Sequence, residues 1–421
     1  MPPNAAPQMF TVRRNFPDRA LANVSEAVLA RMQDSGFALL CPPNSRVAIG
    51  VGSRGISNID AIVKAVVDYW FAHGHRPFLF PAMGSHGAAT AAGQIDVLAH
   101  YGITESTMGC PIESNLEVVS LGQTADGFKT FAGIDAWAAD AVMVVNRVKW
   151  HTSFVGANES GLAKMLAIGL GKHAGAASSH QDARRHGMEA VIQAVAAHVL
   201  THGKVLGGLA ILEDAHHNTA HVEALFAKSL IRNEAKLLAL TKSWMARLPV
   251  GDIDILIVDE IGKNISGTGM DAKVINRGAA IDLSPNAQRI STVYVRDLTD
   301  ESYGSAVGIG MADVMHSRVR RKLNINAGLI NAITSGSLMH IRMPVEFPTD
   351  RECLEICART AGASSLADAR LVWIKNTLEL ETTTASEAVA RELRASGIGC
   401  GRDPFPLTFD GEGNLPRNAP S

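Results

Sequence analysis

A chain of 421 residues, 47% hydrophobic and 19% charged, has ample apolar content for a large core, and its length exceeds what one core usually organises, so two domains are expected. The formal net charge of -2 supplies no global field to recruit nucleic acid or an anionic membrane, and no aromatic-plus-basic stripe of the single-strand-binding kind is present. No apolar run reaches the ~18 residues of a membrane span, and the N-terminus MPPNAAPQMFTVRRNFPD lacks the apolar centre of a secretory signal, so the expected compartment is a reducing cytoplasm.

In chain order, residues 1 to about 25 read as an extended, proline-containing arm, and 23–35 has helical spacing through Val24, Val28, Leu29 and Met32. The run 47–51 (VAIGV) reads as a buried strand ending in Gly52-Ser53-Arg54-Gly55, and Asn58 can cap a helix over 59–72. The run 77–81 (PFLFP) is a second strand, leading into Ala82-Met-Gly-Ser-His86-Gly87 and a helix from Thr90 to about His100. Two strand–loop–helix units in succession predict a parallel α/β sheet, in which ligands sit at the carboxyl ends of the strands. A third buried strand, 140–145, delivers Asn146, Arg147, Lys149 and His151 to the same predicted edge. Three strands presenting polar groups on one edge is the bottom-up signature of a site.

The stretch Trp150–Gln181 follows, with His151, His173, His180, Lys164 and Lys172 set among glycines, alanines and serines. So few bulky residues build little core but allow close backbone approach, and lysines or histidines there need partners. Beyond it, 184–202 reads as a helix, 206–212 as a strand, and 218–247 as helical with a break near Ser229. The pair His216-His217 and His221 are read as structural or exposed, because adjacent side chains point apart.

After a linker at 248–251, a second α/β region opens with the strand 253–258, which runs into 259–264 (DEIGKN) and a glycine-rich 266–271 (SGTGMD) lacking the order of a phosphate loop. Strands are expected at 290–295, 338–342 and 371–374, and helices at 304–316, 350–361 and 386–396; the Pro/Gly-rich tail from about 397 drapes over the protein or frays. Cys41, Cys110, Cys353, Cys357 and Cys400 form no Cys-x-x-Cys pair and read as free thiols. The fold class expected is α/β, two α/β domains (1–250 and 251–421) with mainly parallel sheets and an active site in the cleft between them.

The ordered set SRG (Arg54), MGSHG (His86), KWH (His151), SGLAKM (Lys164) and SSH (His180) resembles the nickel-dependent lactate racemase family, 2-hydroxyacid racemases and epimerases. The resemblance spans most of the N-terminal half and continues into DEIGKNISGTGMD. It implies a nickel-pincer nucleotide (pyridinium-3-thioamide-5-thiocarboxylic acid mononucleotide) joined to Lys164, with His180 as the protein ligand to nickel. It further implies catalytic roles for His86 and His151, carboxylate binding by Arg54, and a substrate-side role for Lys263. Soft sulfur donors and a square plane are consistent with nickel. The implied reaction inverts C2 of a 2-hydroxy acid by proton-coupled hydride transfer to the cofactor, with one histidine per face as base and acid and a bidentate arginine on the carboxylate. Cofactor-synthesis proteins are implied partners, with no nucleic acid and no membrane.

The chain departs from the lactate pattern at three places: Gly55 stands where those enzymes have proline, Gly87 where they have a basic residue, and Ala163 where they have arginine. The expected enzyme is therefore not lactate-specific, and a larger 2-hydroxy acid, such as a sugar acid or an aromatic or dicarboxylic hydroxy acid, is expected as substrate at least as readily as lactate. Two alternatives are a zinc hydrolase using His86, His151 and His180 as a three-histidine site, and a non-catalytic small-molecule-binding homolog.

Overall fold

Val47, Ile49 and Val51 belong to one hydrophobic cluster and Ala48 to another. Their strand is continuously apolar because both of its faces are covered. The same division holds for Met143 and Val145 against Val142 and Val144, and for Leu209 and Ile211 against Ala210 and Leu212. In this computed structural model, which describes residues 6–52, 55–278, 281–284, 287–334 and 338–417, the chain divides into two compact units. One is Pro17–Met245; the other joins the N-terminal segment through Phe16 to the chain from Ala246 onward.

The Pro17–Met245 unit is built on a five-stranded sheet in the order Arg76–Pro81, Arg46–Val51, Ala141–Arg147, Val205–Glu213, Thr219–Phe226. The first four strands are parallel and the last is antiparallel. Helices Val24–Ser35 and Ile59–Ala72 contribute to the cluster on one face; the segment 162–170, Met188–Thr201 and Leu230–Trp244 contribute to the other. This is the doubly covered α/β layering that parallel strands require. The parallel strands Arg76–Pro81, Arg46–Val51 and Ala141–Arg147 are neighbours, so their carboxyl ends share one edge of the sheet.

The second unit carries an eight-stranded sheet in the order Val345–Phe347, Val314–His316, Arg289–Leu298, Asp252–Ile261, Leu371–Ile374, Thr382–Ser386, Gln8–Arg13, Phe405–Pro406. The first five are parallel and the rest join antiparallel. The expected N-terminal arm is thus a strand of this unit's sheet. Its core contains a buried ionic knot. The Arg296 guanidinium reaches Asp259 at 2.5 Å and Asp350 at 2.9 Å, and it donates to the carbonyls of Leu415 and Pro416. Leu415 N donates back to Asp350 at 2.9 Å, so the tail is built into the core as far as Pro416.

Several elements differ from the sequence reading. The segment 218–247 begins with the strand Thr219–Phe226, whose residues pair antiparallel with Val205–Glu213; only Leu230–Trp244 is helical. The segment 304–316 ends in the strand Val314–His316, bonded to Tyr294 and Val295, so sheet pairing overrides helical spacing. Leu338–Ile341 is a single 3-10 turn whose His340 carbonyl accepts from Gly308 N at 2.7 Å. The hairpin Val118–Gln123/Lys129–Gly133 is an element the sequence reading left out. The five cysteines are free thiols, and Cys110, Cys353 and Cys357 are buried. Among the described residues no helix is long and apolar enough to cross a membrane.

Candidate active site

The edge where the four parallel strands end carries the three loops that hold the residues singled out in the sequence. The first, after Arg46–Val51, contains Arg54, which lies outside the described residues. The second, after Arg76–Pro81, presents His86, half-buried, just before a tight turn in which Gly87, Ala88 and Ala89 have φ of 63°, 54° and 52°. Two alanines in the left-handed region cost on the order of 1–2 kcal/mol each. Gly87 is required outright, since a Cβ there would lie 2.5 Å from Gln94 N.

The third loop, after Ala141–Arg147, is organised by Glu159, which is 1% exposed. Its carboxylate accepts from His151 N at 2.5 Å and Gly156 N at 3.2 Å and pairs with Lys242 at 2.6 Å. These contacts fix the backbone at His151. Ser153 N donates to His151 Nδ1 at 3.1 Å, so a neutral imidazole carries its proton on Nε2. The ring stacks on Phe154, with centroids 4.4 Å apart and planes 29° from parallel. Lys164 Nζ lies 6.0 Å from the centroid of the same Phe154 ring. Phe154 therefore brings His151 and Lys164 to one place.

Lys164 ends a single helical turn, Leu162–Lys164, that continues as a π-helical turn Met165–Gly169; such turns recur at functional sites. Leu162 and Ala163 are 0% exposed, so their packing orients Lys164 away from the core. The start of the turn is pinned by Glu234, 1% exposed, which accepts from Leu162 N, from Ala163 N at 3.0 Å and from Asn158 Nδ2 at 3.0 Å. Burial raises the Glu234 carboxyl above the usual range, and those three donors work against the rise. From the helix Lys172–His186, His180 is exposed, yet its pKa is lowered by partial desolvation first and then by the positive charges of Lys164 and Arg184. His180 is thus within electrostatic reach of Lys164, whose charge adds to the partial desolvation in favouring the neutral imidazole.

Lys263 belongs to the other unit. It follows the strand Asp252–Ile261, is half-buried, and its amide donates to Ser302 Oγ at 3.0 Å. It also lowers the pKa of His340, whose larger cause is burial. Sequence reading missed Phe154, Glu159, Glu234 and Gln94 as site-organising residues. Glu159 alone carried a signal, as the one acid in Trp150–Gln181. Among the described residues no group of three or more His, Cys, Asp or Glu side chains is placed to hold a metal ion, so His86, His151 and His180 do not form a three-ligand cluster. A lone imidazole beside a half-buried lysine can supply one donor to a metal carried by a bound organic group.

No family model matches the sequence, and no curated protein matches it. Solved structures do match in backbone. The lactate racemase apoprotein from Thermoanaerobacterium thermosaccharolyticum has a TM-score of 0.53 at 11% identity, over 88% of this chain and 99% of that one. A crystal structure of a Thermotoga maritima protein has a TM-score of 0.51 at 11% identity, over 87% of this chain and 99% of that one. The chain has the lactate racemase fold.

Proposed function

We propose that this protein is a racemase or epimerase acting at C2 of a 2-hydroxy acid. The observation that carries the reading is the grouping of Lys164, Phe154 and His151, with His180 in electrostatic range, on a lactate racemase fold. Lys164 would hold a nickel-pincer nucleotide covalently and His180 would ligate its nickel. When bound, that group supplies the acceptor for the C2 hydrogen. Desolvation and the charges of Lys164 and Arg184 favour the neutral imidazole, the form a metal ligand needs.

The remaining residues bind, orient and move protons. His151, with Nδ1 committed to Ser153 N, offers Nε2 for exchange with the substrate hydroxyl, and its stack on Phe154 fixes the plane of approach. His86, from the strand end on the other side of Arg46–Val51, is the matching acid–base group for the opposite face, so each turnover uses one histidine as base and the other as acid. Arg54 binds the carboxylate as a fork, and Lys263 is a substrate-side cation. Positions 87 and 163 carry no charge, and the fold leaves neither open to one: Gly87 has no room for a Cβ and Ala163 is fully buried. The enzyme is accordingly not specific for lactate.

The test is production of the protein together with cofactor-synthesis enzymes, followed by intact mass and metal analysis. The expected result is nickel plus a mass adduct, the adduct lost in Lys164→Ala but kept in Lys172→Ala, and the metal lost in a folded His180→Ala. Zinc without an adduct, or neither metal nor adduct, overturns the reading.

A further inference from the structure

The loop that carries His86 is tied down by an internal cation that the chemistry above does not use. Lys172 is 2% exposed, and its backbone is itself left-handed, with φ of 54°. Its ammonium donates to Pro81 O at 2.8 Å and to Gln94 Oε1 at 2.9 Å. Gln94, 0% exposed, turns its amide nitrogen to Met83 O at 3.4 Å and Gly84 O at 3.2 Å. The carbonyls of residues 81, 83 and 84 are thus all held by one two-residue relay. The loop also lies flush on the helix Lys172–His186, because a Cβ on Gly84 would fall 2.8 Å from Ala176 Cβ.

Among the described residues no carboxylate lies within ion-pair distance of Lys172. Desolvation lowers its pKa to about 8, with Asp135 as the acidic group opposing the fall. A position needing only to be filled would be served better by an apolar side chain, since an unpaired buried ammonium is costly. What the ammonium adds is direction: two charge-assisted bonds that fix where the strand ends and the loop begins.

We propose that Lys172, acting through Gln94, is a positioning residue that sets His86 relative to the helix bearing His180. This rests on the reading of His86 as an acid–base group, whereas the tie itself can be tested in the cofactor-free protein. The measurement is hydrogen–deuterium exchange at the imidazole C2 of each histidine across pH, in the full chain and in Lys172→Met, Lys172→Arg and Gln94→Leu, beside thermal melts. The expected result is a shift in His86 exchange in Lys172→Met and Gln94→Leu, no shift at His198, and recovery towards the parent in Lys172→Arg. An unchanged His86 in a folded variant overturns the proposal, as does an equal shift at both histidines with a fallen Tm. Gln94→Leu carries the test if Lys172→Met does not fold. In the loaded enzyme the same variants lower kcat by roughly 10- to 100-fold with KM little changed, and a loss confined to KM overturns it. A His86 shift in a protein without racemase activity upholds the tie and removes only the proposed function.

Discussion

The imidazole of His151 and the ring of Phe154 lie face to face, 4.4 Å between centroids and 29° from parallel, while Lys164 approaches the same ring. Such pairs are worth about 0.5–1.5 kcal/mol beyond the area they bury. Replacing Phe154 by Leu keeps the apolar volume but removes the flat surface. The expected outcome is a Tm shift of only a few degrees and a much larger loss of kcat, roughly 10-fold or more, because His151 can then rotate. Full activity in Phe154→Leu would show that Glu159 and Ser153 orient the imidazole unaided.

Gly87 makes a sharper prediction. Its φ of 63° and the nearness of Gln94 N mean that Gly87→Ala meets both backbone strain and overlap, about 1–3 kcal/mol in all. The loop has few ways to relieve this except by moving His86. Limited proteolysis should therefore cut near residues 85–90 in the variant before the rest of the unit unfolds. A variant as protease-resistant as the parent would count against the turn as described.

The sheet of the first unit was legible in the sequence because parallel strands covered on both faces leave continuous apolar runs, as in VAIGV and PFLFP. The strand Thr219–Phe226 was not, since its apolar residues fit helical spacing as well as an edge strand, and only pairing with Val205–Glu213 decides. The residues proposed for the site, His86, His151, Lys164 and His180, were read from the order of their motifs. The residues that hold them in place come from elsewhere in the chain. Glu234 meets Leu162 across 72 residues and Lys172 meets Gln94 across 78, and nothing local in the sequence joins such pairs. The tail was ambiguous for a related reason: Pro/Gly composition is compatible with fraying, and the buried Arg296 that binds it lies 119 residues from Leu415.

Asp350 gives a pH prediction for the second unit. Burial by itself would raise its pKa, but Arg296, Tyr294 and Arg318 together outweigh that and hold it at about 2, below the ordinary 3.8. A depressed folded-state pKa means that the unfolded chain binds more protons in this window. The stabilisation is therefore complete above about pH 4 and is lost as pH falls from 3.8 towards 2. Asp350→Asn leaves the Arg296 charge short of a partner and should cost about 3–5 kcal/mol at neutral pH. It should also release residues 414–417, measurable as faster amide exchange at Leu415, and it should flatten the acid limb of the stability curve. An acid limb unchanged in the variant would place that proton uptake on other carboxylates.

The proposed chemistry is tested most directly by the two histidines in the loops after the parallel strands that flank Arg46–Val51. If His86 serves one face of the substrate and His151 the other, every complete turnover needs both. His86→Ala and His151→Ala should then each lose on the order of 10²–10⁴-fold in full racemisation, in whichever direction the reaction is started. Solvent deuterium should enter C2 slowly in the parent protein, because the C2 hydrogen is passed to an acceptor and returned without exposure to water, while only the hydroxyl proton passes through the imidazoles. The substrate panel should include aldonic, aromatic and dicarboxylic 2-hydroxy acids, since Gly87 and Ala163 place no cation at positions that are basic in the lactate pattern. Rapid deuterium incorporation at C2 would mean that an imidazole removes the C2 hydrogen as a proton. His86 and His151 would then remain acid–base residues, but of a carbanion mechanism in which Lys164 and His180 need hold no hydride acceptor.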